Sequence, residues 1–236
     1  NLQGVEKQEI ERGTIIALPG TLLPTSRIDA SLRYLKLPFN PIKNNTTLRF
    51  HVATTQAEGK LILMDRNAIG PGDEAFVQIS FAEPLAILPG DRFIMRGSYA
   101  VQTLGGGEVL DIQPKKHVRK AEELQKTYEL LRHGTVQEKL LYHVRKGGYE
   151  GVRKDRLAIL LGMEPGSLDG VADKMGAGDL IRTVGKNVVH TPAFVQYKQT
   201  LHELVAAFHE KNPFKIGISK EELRTKLPKV DPAIFQ

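Results

Sequence analysis

The stretch Val109-Leu110-Asp111-Ile112-Gln113-Pro114-Lys115-Lys116-His117-Val118-Arg119-Lys120-Ala121 divides the chain into two kinds of sequence. Before Pro114 apolar residues recur with period two. After Ala121 they recur at helical spacing. Period two puts alternate side chains on opposite faces of a strand, whereas spacings of three and four put them on one face of a helix. The basic run Lys115 to Lys120 between them reads as a linker, and with the first helix it occupies residues 114–134.

Backward from Pro114, six or seven short β-rich runs are separated by turn signals. Thr46 to Thr54 sets Leu48, Phe50 and Val52 on one side and Thr47, Arg49 and His51 on the other. Ala75 to Phe81 alternates again, with Phe76, Gln78 and Ser80 opposite Val77, Ile79 and Phe81. Thr14–Leu18, Ile28–Leu35, Leu61–Met64, Arg92–Met95 and Val109–Ile112 complete the set. Pro-Gly-Asp occurs at Pro71-Gly72-Asp73 and again at Pro89-Gly90-Asp91. Proline presets φ, glycine accepts positive φ, and aspartate closes an Asx turn. Gly105-Gly106-Gly107 precedes a strand rather than a helix N-terminus, so it reads as a flexible turn and not as a phosphate cradle. Many short strands with regular turns predict a small closed antiparallel barrel over residues 28–113.

Forward from the linker, Leu124, Tyr128 and Leu131 form one helical stripe, and Val136, Leu140 and Val144 a second. Arg153 to Leu161 is a short helix. Ser167 is placed to cap the next one, whose stripe is Leu168, Val171 and Met175. Leu180 to His190 reads as a hairpin turning at Gly185-Lys186-Asn187. Helix, short helix, capped helix and hairpin is the order of a winged helix, here over residues 135–191. Pro192 opens a second such unit, residues 192–236. In it Phe194, Tyr197, Leu201, Leu204 and Phe208 share a helix face, and Ser219 with Glu222 has the spacing of a capping box. Pro232 to Phe235 would begin a further helix, and the sequence is expected to stop before this unit's wing. The fold class expected is mixed α and β: an N-terminal antiparallel β-barrel followed by winged-helix domains.

Composition narrows the chemistry. There is no cysteine among the 236 residues, which excludes disulfides, thiolate metal sites and cysteine nucleophiles and is compatible with a cytoplasmic location. No run approaches the roughly 20 apolar residues that span a bilayer, and no membrane partner is expected. Charge is unevenly spread. Residues 1–113 carry 11 Lys/Arg against 12 Asp/Glu, and residues 114–236 carry 22 against 15. A basic half beside a neutral half points to a polyanionic partner for the C-terminal half.

Several stretches resemble a known family. Leu2 to Gly13, ending Glu9-Ile10-Glu11-Arg12-Gly13, is similar to the close of domain II in elongation factor Tu and its relatives, and Leu18-Pro19-Gly20-Thr21 fits the turn leaving that domain. Arg92-Phe93-Ile94-Met95-Arg96, followed by Gly105-Gly106-Gly107-Glu108-Val109, resembles the close of domain III. Winged helices after such a barrel resemble the selenocysteine-specific elongation factors, and Phe208-His209-Glu210-Lys211-Asn212-Pro213-Phe214-Lys215-Ile216-Gly217 looks like their second winged helix. The resemblance implies that residues 1–27 are the tail of domain II and that the barrel is domain III. It further implies a complete factor with a GTPase domain using GTP and Mg²⁺ ahead of residue 1, and later winged helices beyond Gln236. Its partners would be selenocysteyl-tRNA, a messenger RNA hairpin met through those later winged helices, and the ribosome. A monomer is expected.

The chain itself shows no enzyme signature. Gly59-Lys60 and Gly185-Lys186 lack the rest of a P-loop, and Asp173-Lys174-Met175-Gly176 matches Asp-x-x-Gly inside a helix only by its letters. The sequence therefore predicts no GTP binding or hydrolysis and no cofactor in this part. His51, His117, His133, His143, His190, His202 and His209 are scattered without metal-ligand spacing. Basic residues remain as candidates for RNA contact. They are Arg49, Arg92 and Arg96 on barrel strands, Lys115, Lys116 and Arg119 in the linker, and Arg153, Lys154, Arg156, Lys174, Arg182 and Lys186 in the first winged helix. A-form RNA hides its major groove, so such contacts would fall on phosphates and 2′-hydroxyls. Two alternatives stay open: a winged-helix regulator reading DNA grooves, or a spacer that touches no nucleic acid.

Overall fold

Ile28, Ala30 and Leu32 alternate with Asp29, Ser31 and Arg33, and in the computed structural model of the chain this alternation becomes β1, Pro24–Tyr34. The structure describes residues 4, 6, 10, 13–97, 102–117, 122–164, 166–177 and 179–235. They form two units, 1–134 and 135–236.

In the first unit β1 is followed by β2 (Ile42–Lys43), β3 (Thr47–Val52), β4 (Thr55–Leu63), β5 (Ala68–Ile69), β6 (Glu74–Ala86), β7 (Arg92–Arg96) and β8 (Thr103–Asp111). Six of these strands close into an antiparallel barrel in the order β1-β6-β4-β3-β7-β8, with β8 returning to pair with β1. Its interior holds Ile28, Leu32, Leu61, Leu63, Val77, Ile79 and Met95, none more than 2% exposed. Phe50 packs edge-on to Phe81 at 5.9 Å and against Phe93 at 5.7 Å. The two Pro-Gly-Asp tripeptides make the same turn: Asp73 accepts from the Gly70 N–H, Asp91 accepts from the Leu88 N–H, and Gly72 and Gly90 have φ of 92° and 89°.

Three expectations for this region are corrected. Thr14–Leu18 is not a strand; it is irregular, with Ile16 and Leu18 more than 70% exposed. Gly105-Gly106-Gly107 is no turn but the interior of β8, paired on both sides. A Cβ at Gly107 would collide with the Ser31 carbonyl oxygen, and one at Gly106 would lie 2.5 Å from the Phe93 carbonyl oxygen, so glycine lets three strands approach at the barrel seam. The run expected from Thr46 to Thr54 ends at Val52, where Ala53 takes φ of 49° and the chain turns into β4.

The helix after the linker is α1, Glu122–His133, and it belongs to the barrel unit. Tyr128, fully buried, stacks on Phe76 at 4.9 Å with the rings 12° from parallel. This cover explains why Phe76 and Gln78, on the outer face of β6, are buried. Beside it, Gln78 donates to Asp29 at 2.9 Å and to the Lys115 carbonyl at 3.0 Å, and His117 meets Asp29 at 2.6 Å. Burial pushes the Asp29 carboxyl above its ordinary value, while the hydrogen bond to His117 opposes the shift.

The second unit opens with α2, Val136–Gly147, capped by Thr135, whose side chain accepts from the Glu138 N–H while the Glu138 carboxylate accepts from the Thr135 N–H. Then come β9 (Val152–Arg153), α3 (Lys154–Leu160), α4 (Asp169–Ala177), β10 (Ile181–Val184) and β11 (Asn187–His190), with sheet order β10-β11-β9. This is a winged helix with a two-residue wing turn at Gly185-Lys186, where Gly185 has φ of 60°. Ser167 does not cap α4; its hydroxyl donates to the Glu164 carbonyl at 2.7 Å. Ala172 and Met175 are the buried positions of α4, Leu168 is buried just ahead of it, and Val171 is only half-buried.

The chain continues in α5 (Thr191–Lys211), α6 (Lys220–Lys226) and α7 (Pro232–Phe235). Tyr197, Leu223, Leu227 and Phe235 form the core, with Leu201 and Leu204 partly buried against it. Only half of the expected capping box is made. Ser219 accepts from the Glu222 N–H, but the Glu222 carboxylate is held by Lys226 at 2.7 Å.

Candidate nucleic-acid interface

Strand pairing assembles the three barrel arginines on one outer face. Arg49 on β3 stands directly opposite Arg96 on β7, and Arg92 lies on the same face of β7, beside Glu108 of β8. Glu58 of β4 is the neighbour of Arg49 on the other side. Alternation keeps these side chains outward while Phe50, Phe93 and Met95 fill the interior. Arg92 is exposed; Arg49 and Arg96 are half-buried. Two residues are added by register. His51 pairs with Ile94 between the arginines, and Arg33 of β1 lies opposite Gly106, the β8 partner of Ile94. The sequence signal for Arg33 is its parity with Asp29 and Ser31; its strand neighbours are not legible there.

Lys115 and Lys116 are exposed, and the Lys115 carbonyl is tied to Gln78. Arg119 lies outside the described residues.

The winged-helix candidates are not assembled in the same way. Arg153 forms a bridge to Asp155 at 2.6 Å, Lys154 to Asp169 at 2.7 Å, and Arg182 to Asp179 at 3.6 Å. The Arg153 hydrogen bond holds the Asp155 carboxyl below its usual range. Arg156, Lys174 and Lys186 are exposed on α3, α4 and the wing turn, and the Lys186 carbonyl accepts from the Lys154 N–H at 2.9 Å. A cationic group already bonded to a carboxylate offers less to an incoming phosphate, because the new contact must displace or share its partner.

No cradle for a nucleoside triphosphate appears among the described residues. Gly59 lies within β4, Gly105 to Gly107 within β8, and Gly185 in the wing turn. No group of three or more His, Asp or Glu residues is placed to hold a metal ion among them either. No described helix is long and apolar enough to cross a membrane.

The same barrel and winged-helix units recur in known proteins. The family model for the β-barrel domain of selenocysteine-specific elongation factors matches residues 26–116, and the model for the SelB winged helix matches residues 202–236. A selenocysteine-specific elongation factor from Desulfomicrobium baculatum is 32% identical over 231 residues, covering 94% of this chain. The crystal structure of a bacterial selenocysteine-specific elongation factor, EF-Sec, superposes with a TM-score of 0.65 over 95% of this chain at 17% identity, which supports the fold. The chain spans 36% of the length of the first relative and 33% of the second. Two models of one family matching in order, and a relative aligned along nearly the whole chain, show that it belongs to the selenocysteine-specific elongation factors.

Proposed function

We propose that this chain supplies the tRNA-facing barrel and the base of an RNA-directed arm within such a factor. The observation that carries the reading is the cross-strand pair Arg49–Arg96, with Arg92 on the same face. Like charges directly opposite one another on a sheet destabilise it, a cost that Glu58 beside Arg49 and Glu108 beside Arg92 offset in part. A polyanionic ligand turns that cost into affinity. Here the ligand is the backbone of selenocysteyl-tRNA. The winged helices extend toward a messenger RNA hairpin read by later domains, the factor works on the ribosome in the cytoplasm, and GTP hydrolysis with Mg²⁺ belongs to a domain outside this chain.

The experiment is tRNA binding by the intact factor carrying R49E, R92E and R96E, titrated against salt. Removing one phosphate contact lowers the slope of log K against log salt by about one. The expected result is weaker binding and a slope reduced by about three. Unchanged affinity and slope would falsify the barrel assignment.

In the first winged helix the intramolecular bridges of Arg153, Lys154 and Arg182 leave these three groups less available for direct phosphate contact.

A further inference from the structure

Between α4, the outer edge of the wing and the start of α5 lies an open cavity of about 550 Å³, lined among others by Ala172, Asp179, Arg182, Thr183, Val184 and Phe194. That volume falls within the roughly 300–1,000 Å³ of small-ligand sites. Its chemistry is specific. The Arg182 guanidinium lies over the Phe194 ring, 5.8 Å from the centroid. Asp179 stands 3.6 Å from the same guanidinium. Asp179 adopts φ of 55°, a left-handed conformation that a side chain other than glycine takes at some cost. Among the described strands β10 pairs only with β11, so its other edge presents backbone N–H and C=O groups beside the cavity.

A stacked π-surface, a guanidinium donor and a carboxylate acceptor together match a flat heterocycle with both acceptors and N–H donors. Guanine has this pattern: O6 and N7 accept, while N1–H and the 2-amino group donate. Bases unstacked from RNA loops are held by stacking on aromatic or guanidinium planes and by hydrogen bonds along their edges. We infer that the cavity holds an unpaired guanine base of an RNA strand. The base stacks on the Arg182–Phe194 pair, and Asp179 accepts from its N1–H and amino group. A carboxylate has lone pairs enough to serve both Arg182 and the base. The inference deepens the RNA-binding reading and rests on it.

The test uses the whole chain and three probes: GMP, a single-stranded RNA heptamer with one central guanosine, and the same heptamer with an abasic centre. The expected result is about ten-fold tighter binding of the guanosine strand than of the abasic one, the worth of one base stack, with the Phe194 ring resonances shifting. Phe194→Leu should bring that ratio close to one, and Asp179→Asn, which keeps the stack and loses the carboxylate, should lower it about three-fold. Phe194 is only half-buried and the Asp179 side chain is 76% exposed, so both variants should keep the wild-type melting curve. Asparagine also tolerates the left-handed φ. If GMP moves the Phe194 signals but the two RNAs bind equally, the site takes free nucleotides and the RNA inference fails. If neither GMP nor RNA moves them while RNA binding stays salt-dependent, the cavity inference fails and the RNA-binding reading stands. If the chain binds no RNA at any salt concentration, both fail.

Discussion

At the scale of single residues, two positions show how local physics sets the outcome. Gly107 is fixed by contact: a Cβ there would collide with the Ser31 carbonyl across the seam. Gly107→Ala is expected to cost at least ~1–3 kcal/mol, the usual penalty of overpacking, read as a lower midpoint in urea unfolding of the barrel. His190 is fixed by electrostatics. Its Nε2 accepts from Arg145 Nε at 3.3 Å, and its pKa is lowered first by burial and then by the Arg145 charge. A depressed folded pKa means that the unfolded chain binds the proton first. This contribution to stability is present above the unfolded value near 6.5 and is lost as pH falls through the folded one. In Arg145→Gln the His190 titration followed by NMR should move up yet remain below 6.5, because burial persists; no movement would remove Arg145 as a cause.

At the scale of elements, α1 is the clearest case of tertiary packing redrawing a boundary. Its sequence joins it to the basic linker, yet it caps the outer face of β6 through Tyr128 and Phe76. Tyr128→Ala should cost ~3–5 kcal/mol, as for other large buried aromatics, and should speed amide exchange in α1. Normal protection of α1 in that variant would contradict the packing role. A signal for this docking is present in the sequence, since period two sets Phe76 on the outer face, where an aromatic needs cover. Other elements are legible for similar reasons. Leu48, Phe50 and Val52 specify β3, and Leu180 to His190 specifies the wing. The β3–β4 hairpin escapes sequence reading because its turn puts Ala53, not glycine, at positive φ. The glycines of β8 mislead because glycine marks both turns and close approaches, and only a neighbouring strand tells them apart. The Arg49–Arg96 pair is not legible. β3 and β7 are distant in sequence, and a register slip of one residue would turn either arginine inward.

At the scale of the molecule, the charge difference between the halves does not map simply onto sites. The basic half carries many cations, but several in the first winged helix already have carboxylate partners, while the near-neutral barrel half gathers three arginines on one face. Neutralising Arg153, Lys154 and Arg156 in the intact factor should therefore leave tRNA affinity within about two-fold and the salt slope unchanged; a slope reduced by about one or more would make this surface a phosphate site. The closure of β8 onto β1 has a further consequence, for how the protein is made. The barrel's own first strand, Pro24–Tyr34, finds its last partner only when Thr103–Asp111 has left the ribosome. Until then a nascent chain displays unpaired strand edges, which recruit other chains readily. Pairing so distant in sequence also folds slowly. Synthesis that halts before Asp111 should yield aggregating stubs rather than a smaller stable domain.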